Sequence, residues 1–401
     1  MKILILCNKS PWPKREGGPI AMHAMISGLI QAGHSVKVLA ANTNKYSVDP
    51  DSIPADFKEK TQIELVDIDL SVTIPGALYN FFSGKSYHVT RFHTKAFEQK
   101  IIEVLRKESF DIIQLEMLQM ATYLDILRKY SKAPIVLRAH NIEHKIWQRI
   151  AENCPNPIKR FYLNHLYQSL RRFEIGILNK MDGIIAITPV DARNLDRLSH
   201  STNIISVPFG INLESLPANP VQPEEASLFH IGTMNWFPNE EGIKWMIDEV
   251  WPAVTKKLPG IELHLAGRYM PEWLLKLSVP RITVDGEVAD VWEYMQRFSI
   301  MVVPLFSGSG IRIKIVEAMA AGKAIITTAI GAEGINYENG QHLLIAKDPK
   351  SFVDAIVRLY NDKTLRDTLG KNARTLIAKE HDNNKLMLKL TAFYTELLKK
   401  K

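Results

Sequence analysis

Short runs dense in β-branched and aliphatic residues recur along the chain: "KILILC", "HSVKVLAA", "FDIIQLE", "APIVLRA", "DGIIAIT" and "NIISVPF". Between each and the next lies a stretch of helical length whose apolar positions return with the helical period. Strands that are apolar nearly throughout, alternating with helices, predict a parallel sheet covered on both faces. The alternation breaks at the proline-rich "LPANPVQPEE", residues 216–225, and restarts with "SLFHIG", "IELHLAG", "RITVDG", "FSIMVVPL" and "KAIITT". From about Pro349 to Lys401 the pattern is helical, and its end, "KLMLKLTAFYTELLKKK", is amphipathic enough to pack against another element. The fold class is therefore α/β, with one parallel-sheet domain expected over residues 1–210 and a second over residues 211–380. No repeat of solenoid period interrupts this order.

Composition narrows the class without naming a partner. With 401 residues, 46% of them hydrophobic and 23% charged, the chain has apolar surface enough for two cores and too much for a disordered polymer. Two cysteines, Cys7 and Cys154, are too few for a disulfide framework or a zinc site and suit a reducing compartment. The apolar run in "MKILILCNKSPWP" is too short for a signal peptide or a membrane span, so a cytoplasmic location is expected. A formal net charge of +7 suits an anionic partner such as a nucleotide, an acidic glycan or a membrane surface, and equally suits lysines dispersed over solvent. No nucleic-acid partner is expected.

Candidate chemistry concentrates in "SGSGIRIKIVEAMAAGKAIITT", residues 307–328. A buried strand, a turn rich in exposed N–H groups and a helix apolar on nearly every side predict a buried helix whose few charges need a reason. Lys314 and Glu317 share a face at i, i+3, and Arg312 lies nearly opposite Lys314 unless it belongs to an irregular first turn. A partly buried Lys314–Glu317 ion pair is one account. The other gives each group a ligand. The N–H groups of Ser309, Gly310 and Ile311 and the helix dipole hold a diphosphate, Lys314 neutralises it, and Glu317 accepts both hydroxyls of a ribose.

Weaker signals lie elsewhere. Gly17 and Gly18 precede a helix and let backbone approach a phosphate or a sugar, or simply form a tight turn. Gly232 and Thr233 follow a strand in the second half, with Asn239 placed to cap the next helix. His140, in "RAHNIEH", ends a strand where open α/β sheets take ligands, although a histidine there is often a satisfied core residue. His144 and Glu143 suit the opening turn of the following helix. Asp67 and Asp69, in "DID", have the spacing of metal-binding carboxylates in another transferase fold, but they lie far along the chain from the phosphate loop and coincidence is the better account.

With these residues in view, "GSGIRIKIVEAMAAGKAIITT" followed by "GAEGI" resembles the donor-site signature of retaining glycosyltransferases of family 4. "PIVLRAHNIEH", "VPFGIN", "HLAGR" and "VDGEVADVWEYM" follow in that family's order, and the likeness is strong over residues 226–347 and thinner before them. The resemblance implies a GT-B architecture: two Rossmann-like domains facing across a cleft, the donor held by the second, the acceptor by the first, and a last helix, residues 381–401, crossing back. It implies that Glu317 binds the ribose, that Arg312, Lys314 and Arg268 bind the diphosphate, that Val288 meets the base through its backbone, and that His140 reaches the donor sugar. His140, Lys314 and Arg312 would then act in the reaction itself, with Gly17, Gly18, Gly232, Ser309, Gly310 and Ile311 as close-approach positions. Two positions depart from the pattern: Ser309 stands where a second glutamate is usual, and of the common arginine and lysine pair after the second domain's first strand only Lys244 is present.

The implied activity is metal-independent transfer of a hexose-type sugar from a UDP-sugar or GDP-sugar to a glycan or lipid-linked glycan, in cell-surface polysaccharide assembly. A non-catalytic sugar-nucleotide or glycan-binding relative and a GT-B-like sugar-nucleotide epimerase are the rival classes. A dehydrogenase is disfavoured, because "GGP" opens no full dinucleotide fingerprint. For the acceptor, "TIPGALYNFFSGKSYHVTRFHTKAF" is aromatic-rich, and "NPIKRFYLNHLYQSLRRFEIGILNK" carries five cations against one anion. The second segment suits an inward-packed surface helix or contact with an anionic membrane at the inner face of the plasma membrane.

Overall fold

The computed structural model describes residues 1–14, 16–71, 84–199, 203–216, 223, 225–308 and 310–400. They divide into two compact units, Met1–Gly210 with Asn383–Lys401, and Ile211–Asp382.

The first unit is built on seven strands: β1 (Lys2–Cys7), β2 (Ser35–Thr43), β3 (Glu64–Ile68), β4 (Ile112–Glu116), β5 (Ile135–Ala139), β6 (Gly183–Ala186) and β7 (Asn203–Ser206). They lie in the order β3-β2-β1-β4-β5-β6-β7, and every neighbouring pair is parallel. β1, β4, β5 and β6 are buried along nearly their whole length, as a sheet covered on both faces requires. The edge strands β3 and β7 are half-exposed. In β3, Glu64 and Asp67 interrupt the apolar continuity that marks the inner strands.

The order reverses between β1 and β4, which opens a crevice at their C-terminal ends. Asn8 and Met117 follow those two ends directly. The terminal helix, Asn383–Lys399, returns to this unit and buries Leu386, Met387, Leu390, Phe393, Tyr394 and Leu397 in one core with Ile3, Ile5, Met22 and Ile26. Its close seat depends on Gly28, where a Cβ would come within 2.6 Å of the Asn383 side-chain amide.

The second unit repeats the plan with six strands: β8 (Leu228–Ile231), β9 (Leu263–Ala266), β10 (Ile282–Gly286), β11 (Ile300–Val303), β12 (Ala324–Thr327) and β13 (Leu344–Ile345). The order is β10-β9-β8-β11-β12-β13, again parallel throughout, and the reversal falls between β8 and β11. Gly232 follows β8, and the loop carrying Ser307 and Gly308 follows β11. Backbones pass closely here: a Cβ on Gly267, whose φ is +145°, would fall 1.7 Å from the Gly232 carbonyl oxygen.

Candidate functional site

In the second unit the polar centre is Lys314, on the helix Ile313–Ala320. Its ammonium donates to Asn239 Oδ1 at 2.7 Å and to His230 Nε2 at 3.2 Å. His230 lies fully buried in β8 and donates from Nδ1 to the Val302 carbonyl at 2.8 Å, which leaves the lone pair on Nε2 facing the lysine. Burial, with the Lys314 charge second, holds His230 well below the ordinary imidazole range. Burial, with Arg312 second, likewise holds Lys314 well below the ordinary amine range. An anion arriving there would favour the charged form of Lys314 and gain its attraction.

Asn239 does not cap a helix. It is the third residue of the helix Phe237–Trp245, whose cap residue is Trp236, and its amide donates to the Thr233 carbonyl at 2.9 Å while its oxygen receives Lys314. Gly232 makes room for this pair, since a Cβ there would lie 2.8 Å from Asn239 Nδ2 and 2.9 Å from Lys314 Nζ.

Glu317 lies one turn along from Lys314, half-buried, and the two do not form an ion pair. Among the described residues no hydrogen bond or ion pair reaches the Glu317 carboxylate. Desolvation raises its pKa to about 7. A carboxylate taken from water and left without a donor is costly, so a group that brings donors to it binds with that cost already met.

The helix starts two residues later than its sequence pattern suggests. Gly310 and Ile311 belong to the preceding loop, with Gly310 at φ +79°, and Arg312 takes the N-cap position in extended conformation. Arg312 is buried, donates from Nη1 to the Gly310 carbonyl at 2.6 Å, and sets its guanidinium 5.4 Å above the Trp236 ring. Ser309 lies outside the described residues. Arg268, two residues past β9, pairs with Glu287 at 2.8 Å, and Val288 follows that glutamate half-buried.

In the first unit, His140 follows β5 and lies buried with Nε2 at 2.6 Å from Glu116 Oε2. Glu116 also receives Arg138 Nη1 at 3.1 Å and Gln114 Nε2 at 2.6 Å. Tyr394 of the terminal helix donates to Gln114 Oε1. Burial opposes the Glu116 charge, but Arg138, His140 and Gln114 outweigh it and hold the carboxyl below its ordinary range. Burial also lowers the pKa of His140 despite its carboxylate partner. In its neutral form the ring donates Nε2–H to Glu116, which leaves Nδ1 as an acceptor. The structure thus couples a functional candidate to a buried network that the sequence did not reveal, although charges inside the apolar strands "DIIQLE" and "PIVLRA" were its signal.

His144 and Glu143 open the helix Glu143–Glu152. Glu174 accepts from both their backbone N–H groups, at 2.9 and 3.0 Å, and from His144 Nδ1 at 2.6 Å. Asp67 accepts from Asn42 and Asp69 from Asn44, so each member of the "DID" triplet is tied to the neighbouring strand or its extension. Gly17 and Gly18 begin the helix Gly17–Gln31, and a Cβ on Gly18 would meet Lys9 Cε at 3.1 Å. Lys9 pairs with Glu16 at 2.9 Å and covers the Tyr46 ring at 4.4 Å. It lines a cavity of about 400 Å³ at the C-terminal ends of β1, β2 and β4.

Comparison with known proteins supplies the context for these two sets of residues. Residues 16–215 match the family described as Glycosyltransferase Family 4, and residues 225–362 match Glycosyl transferases group 1. An uncharacterized 44.6 kDa protein in the cps region of Klebsiella pneumoniae is 20% identical over 398 residues, 96% of this chain and 97% of that one. The capsular polysaccharide biosynthesis glycosyltransferase CapM of Staphylococcus aureus is 23% identical over 180 residues, 43% of this chain and 47% of that one. Among solved structures, HepE of Anabaena in complex with UDP-glucose superposes with a TM-score of 0.66 at 14% identity, covering 99% of this chain and 100% of that chain. The two parallel-sheet units thus share the GT-B fold of glycosyltransferases.

Proposed function

The chain belongs to glycosyltransferase family 4, and from that premise we propose that it transfers a hexose-type sugar from a UDP-sugar or GDP-sugar to a glycan or lipid-linked glycan, with retention at the anomeric carbon. The observation that carries the donor half is the unpartnered carboxylate of Glu317, one turn from an ammonium held at reduced basicity. Ribose hydroxyls donate to the first and diphosphate oxygens accept from the second. Arg312 and the loop N–H groups of Gly310 and Ile311 stand beside that diphosphate, and Gly232 keeps Lys314 in place. Arg268 contributes once the diphosphate competes with Glu287, and Val288 meets the base. UDP-glucose in the HepE structure supports this class of donor.

In the reaction the bond from the anomeric carbon to the bridging phosphate oxygen breaks, and a bond to the acceptor hydroxyl oxygen forms on the same face. The hydroxyl proton passes to the departing phosphate. Charge that gathers on that phosphate is met by Lys314, Arg312 and the helix N-terminus, contributing on the order of several kcal/mol to the transition state. These groups occupy the place a divalent metal holds in the other large transferase fold, so no metal is required. His140 hydrogen-bonds the transferred sugar through Nδ1, its ring set by Glu116. Gly17 and Gly18 let backbone approach the acceptor.

Surface polysaccharide assembly is the setting, supported by the capsular glycosyltransferase among the relatives. An anionic membrane is the second partner. Ile158 and Phe161, 82% and 69% exposed, flank Lys159 and Arg160 at the start of the helix Pro157–Leu178, an apolar tip within a cationic collar. Among the described residues no helix is long and apolar enough to cross a membrane. The reading places the protein in the cytoplasm, at the inner face of the plasma membrane.

The test is nucleotide release from a panel of UDP-sugars and GDP-sugars in the presence of EDTA, with product anomers resolved by NMR. Release from at least one donor with full turnover in EDTA is the expected result. Absence of nucleotide binding and release across the panel would overturn the donor reading, and restoration by Mn²⁺ or Mg²⁺ would overturn the metal-independent one.

A further inference from the structure

The cavity of the first unit is more specific than a general sugar site. It opens where β1, β2 and β4 end, and its walls include Asn8, Asn44, Lys45, His88, Arg91 and Gln119. Three of these present buried polar atoms that no hydrogen bond satisfies: Asn8 Oδ1, Arg91 Nε and Gln119 Oε1. Asn8 and Gln119 are 9% and 4% exposed, so water does not freely solvate them. Buried polar atoms are ordinarily paired, and these three lie just beneath the cavity surface, so the groups that a ligand would meet are the charged ends of Arg91 and Lys45. At the cavity's edge Met117 takes a φ of 75°, a conformation rare for a side-chain-bearing residue and frequent at ligand sites.

A second cavity, of about 740 Å³, shares Arg91 with the first and adds Lys85, His93 and Arg172. Among the described residues no carboxylate lines either cavity. Lys9 is neutralised by Glu16, but among the described residues Arg91 and Lys45 make no ion pair, and the Arg91 guanidinium lies 5.8 Å from the Phe92 ring. A neutral sugar would bind here without using the guanidinium's planar fork or its charge. An anionic group would use both.

We propose that this cavity takes an acceptor residue bearing an anionic group, a carboxylate or a phosphate, whose oxygens are held by Arg91 and Lys45. This rests on the reading of the first unit as the acceptor-binding one and names the chemistry that unit selects. A uronic-acid residue and the phosphate of a lipid-linked acceptor share that chemistry.

The experiment measures binding of D-glucuronate, inorganic pyrophosphate and D-glucose to the full chain by NMR titration, with UDP binding followed on the same preparation. Glucuronate or pyrophosphate should bind at least about tenfold more tightly than glucose, the yield of one charge-assisted bidentate contact. Arg91→Gln should remove that preference and leave UDP affinity unchanged. If that variant melts early, Lys45→Gln, at an exposed position, should lower the preference at least about threefold. Preference for glucuronate identifies a uronic acid as the source, and preference for pyrophosphate identifies the lipid-linked phosphate. Equal binding of glucose and both anions, or a preference that survives Arg91→Gln in a folded protein, overturns the proposal. Loss of UDP binding with the anion preference intact would instead refute the donor reading alone.

Discussion

Replacing Glu317 by alanine separates a ligand-binding carboxylate from a structural one. Desolvation lifts its pKa from 4.5 to about 7 with no partner to pull it back. A carboxyl whose folded pKa is raised adds stability only while protonated: its contribution is complete below about pH 4.5 and is lost as pH rises through about 7. At 1.4 kcal/mol per unit, that loss amounts to at most about 3 kcal/mol above neutrality. Without ligand, Glu317→Ala should therefore melt no lower than the parent at pH 8, and higher if no cavity cost intervenes. Nucleotide binding runs the other way. Two hydrogen bonds from a ribose to an ionised acceptor should contribute about 2 kcal/mol, or roughly thirtyfold in UDP affinity at pH 8. At pH 6 only about one carboxyl in ten is ionised, so the advantage of the parent over the variant should shrink about tenfold, to roughly threefold. Taking the ratio of parent to variant cancels the titration of UDP itself. Calorimetry at the two pH values, with thermal melts of both proteins, supplies every quantity. A ratio that does not change with pH, or a variant that is destabilised at pH 8 while binding UDP normally, would refute the ribose assignment.

Three further outcomes follow from the geometry. Gly232→Ala places a methyl group 2.9 Å from Lys314 Nζ and should weaken UDP binding by about tenfold or more through displacement of that cation, as titration calorimetry would register; unaltered binding would remove Lys314 from the diphosphate site. His140→Ala leaves Glu116 its Arg138 and Gln114 partners, so it should lower turnover by about 10²-fold while UDP affinity changes little; a parallel fall in melting temperature and in every activity would mark His140 as structural. Ile158→Asp combined with Phe161→Asp alters two exposed side chains and should reduce cosedimentation with anionic vesicles by about tenfold or more without shifting the melting temperature; persistent binding would place the membrane contact elsewhere.

Much of the architecture was legible in the chain, because burial on both faces of a parallel sheet demands apolar continuity that sequence displays directly. "KILILC", "FDIIQLE" and "FSIMVVPL" show it, and β1, β4 and β11 lie inside those runs. β3 escaped because, at an edge facing solvent, its run is broken by Glu64 and Asp67 and loses that signature. β13, two residues long, is too short to show any period. The glycine turn with Lys314 and Glu317 at helical spacing was equally visible, since spacing along one helix is local geometry. Their partners were not. Asn239 reads locally as a cap, yet it grips a lysine 75 residues away because strand order brings β8 beside β11. Likewise Tyr394 meets Gln114 across 280 residues, and through it the network holding His140, because the terminal helix returns to the first sheet. Local periodicity encodes which side of an element is buried. What lies opposite that side depends on how distant segments pack, and so the choice of partner for each buried polar group belongs to the tertiary structure.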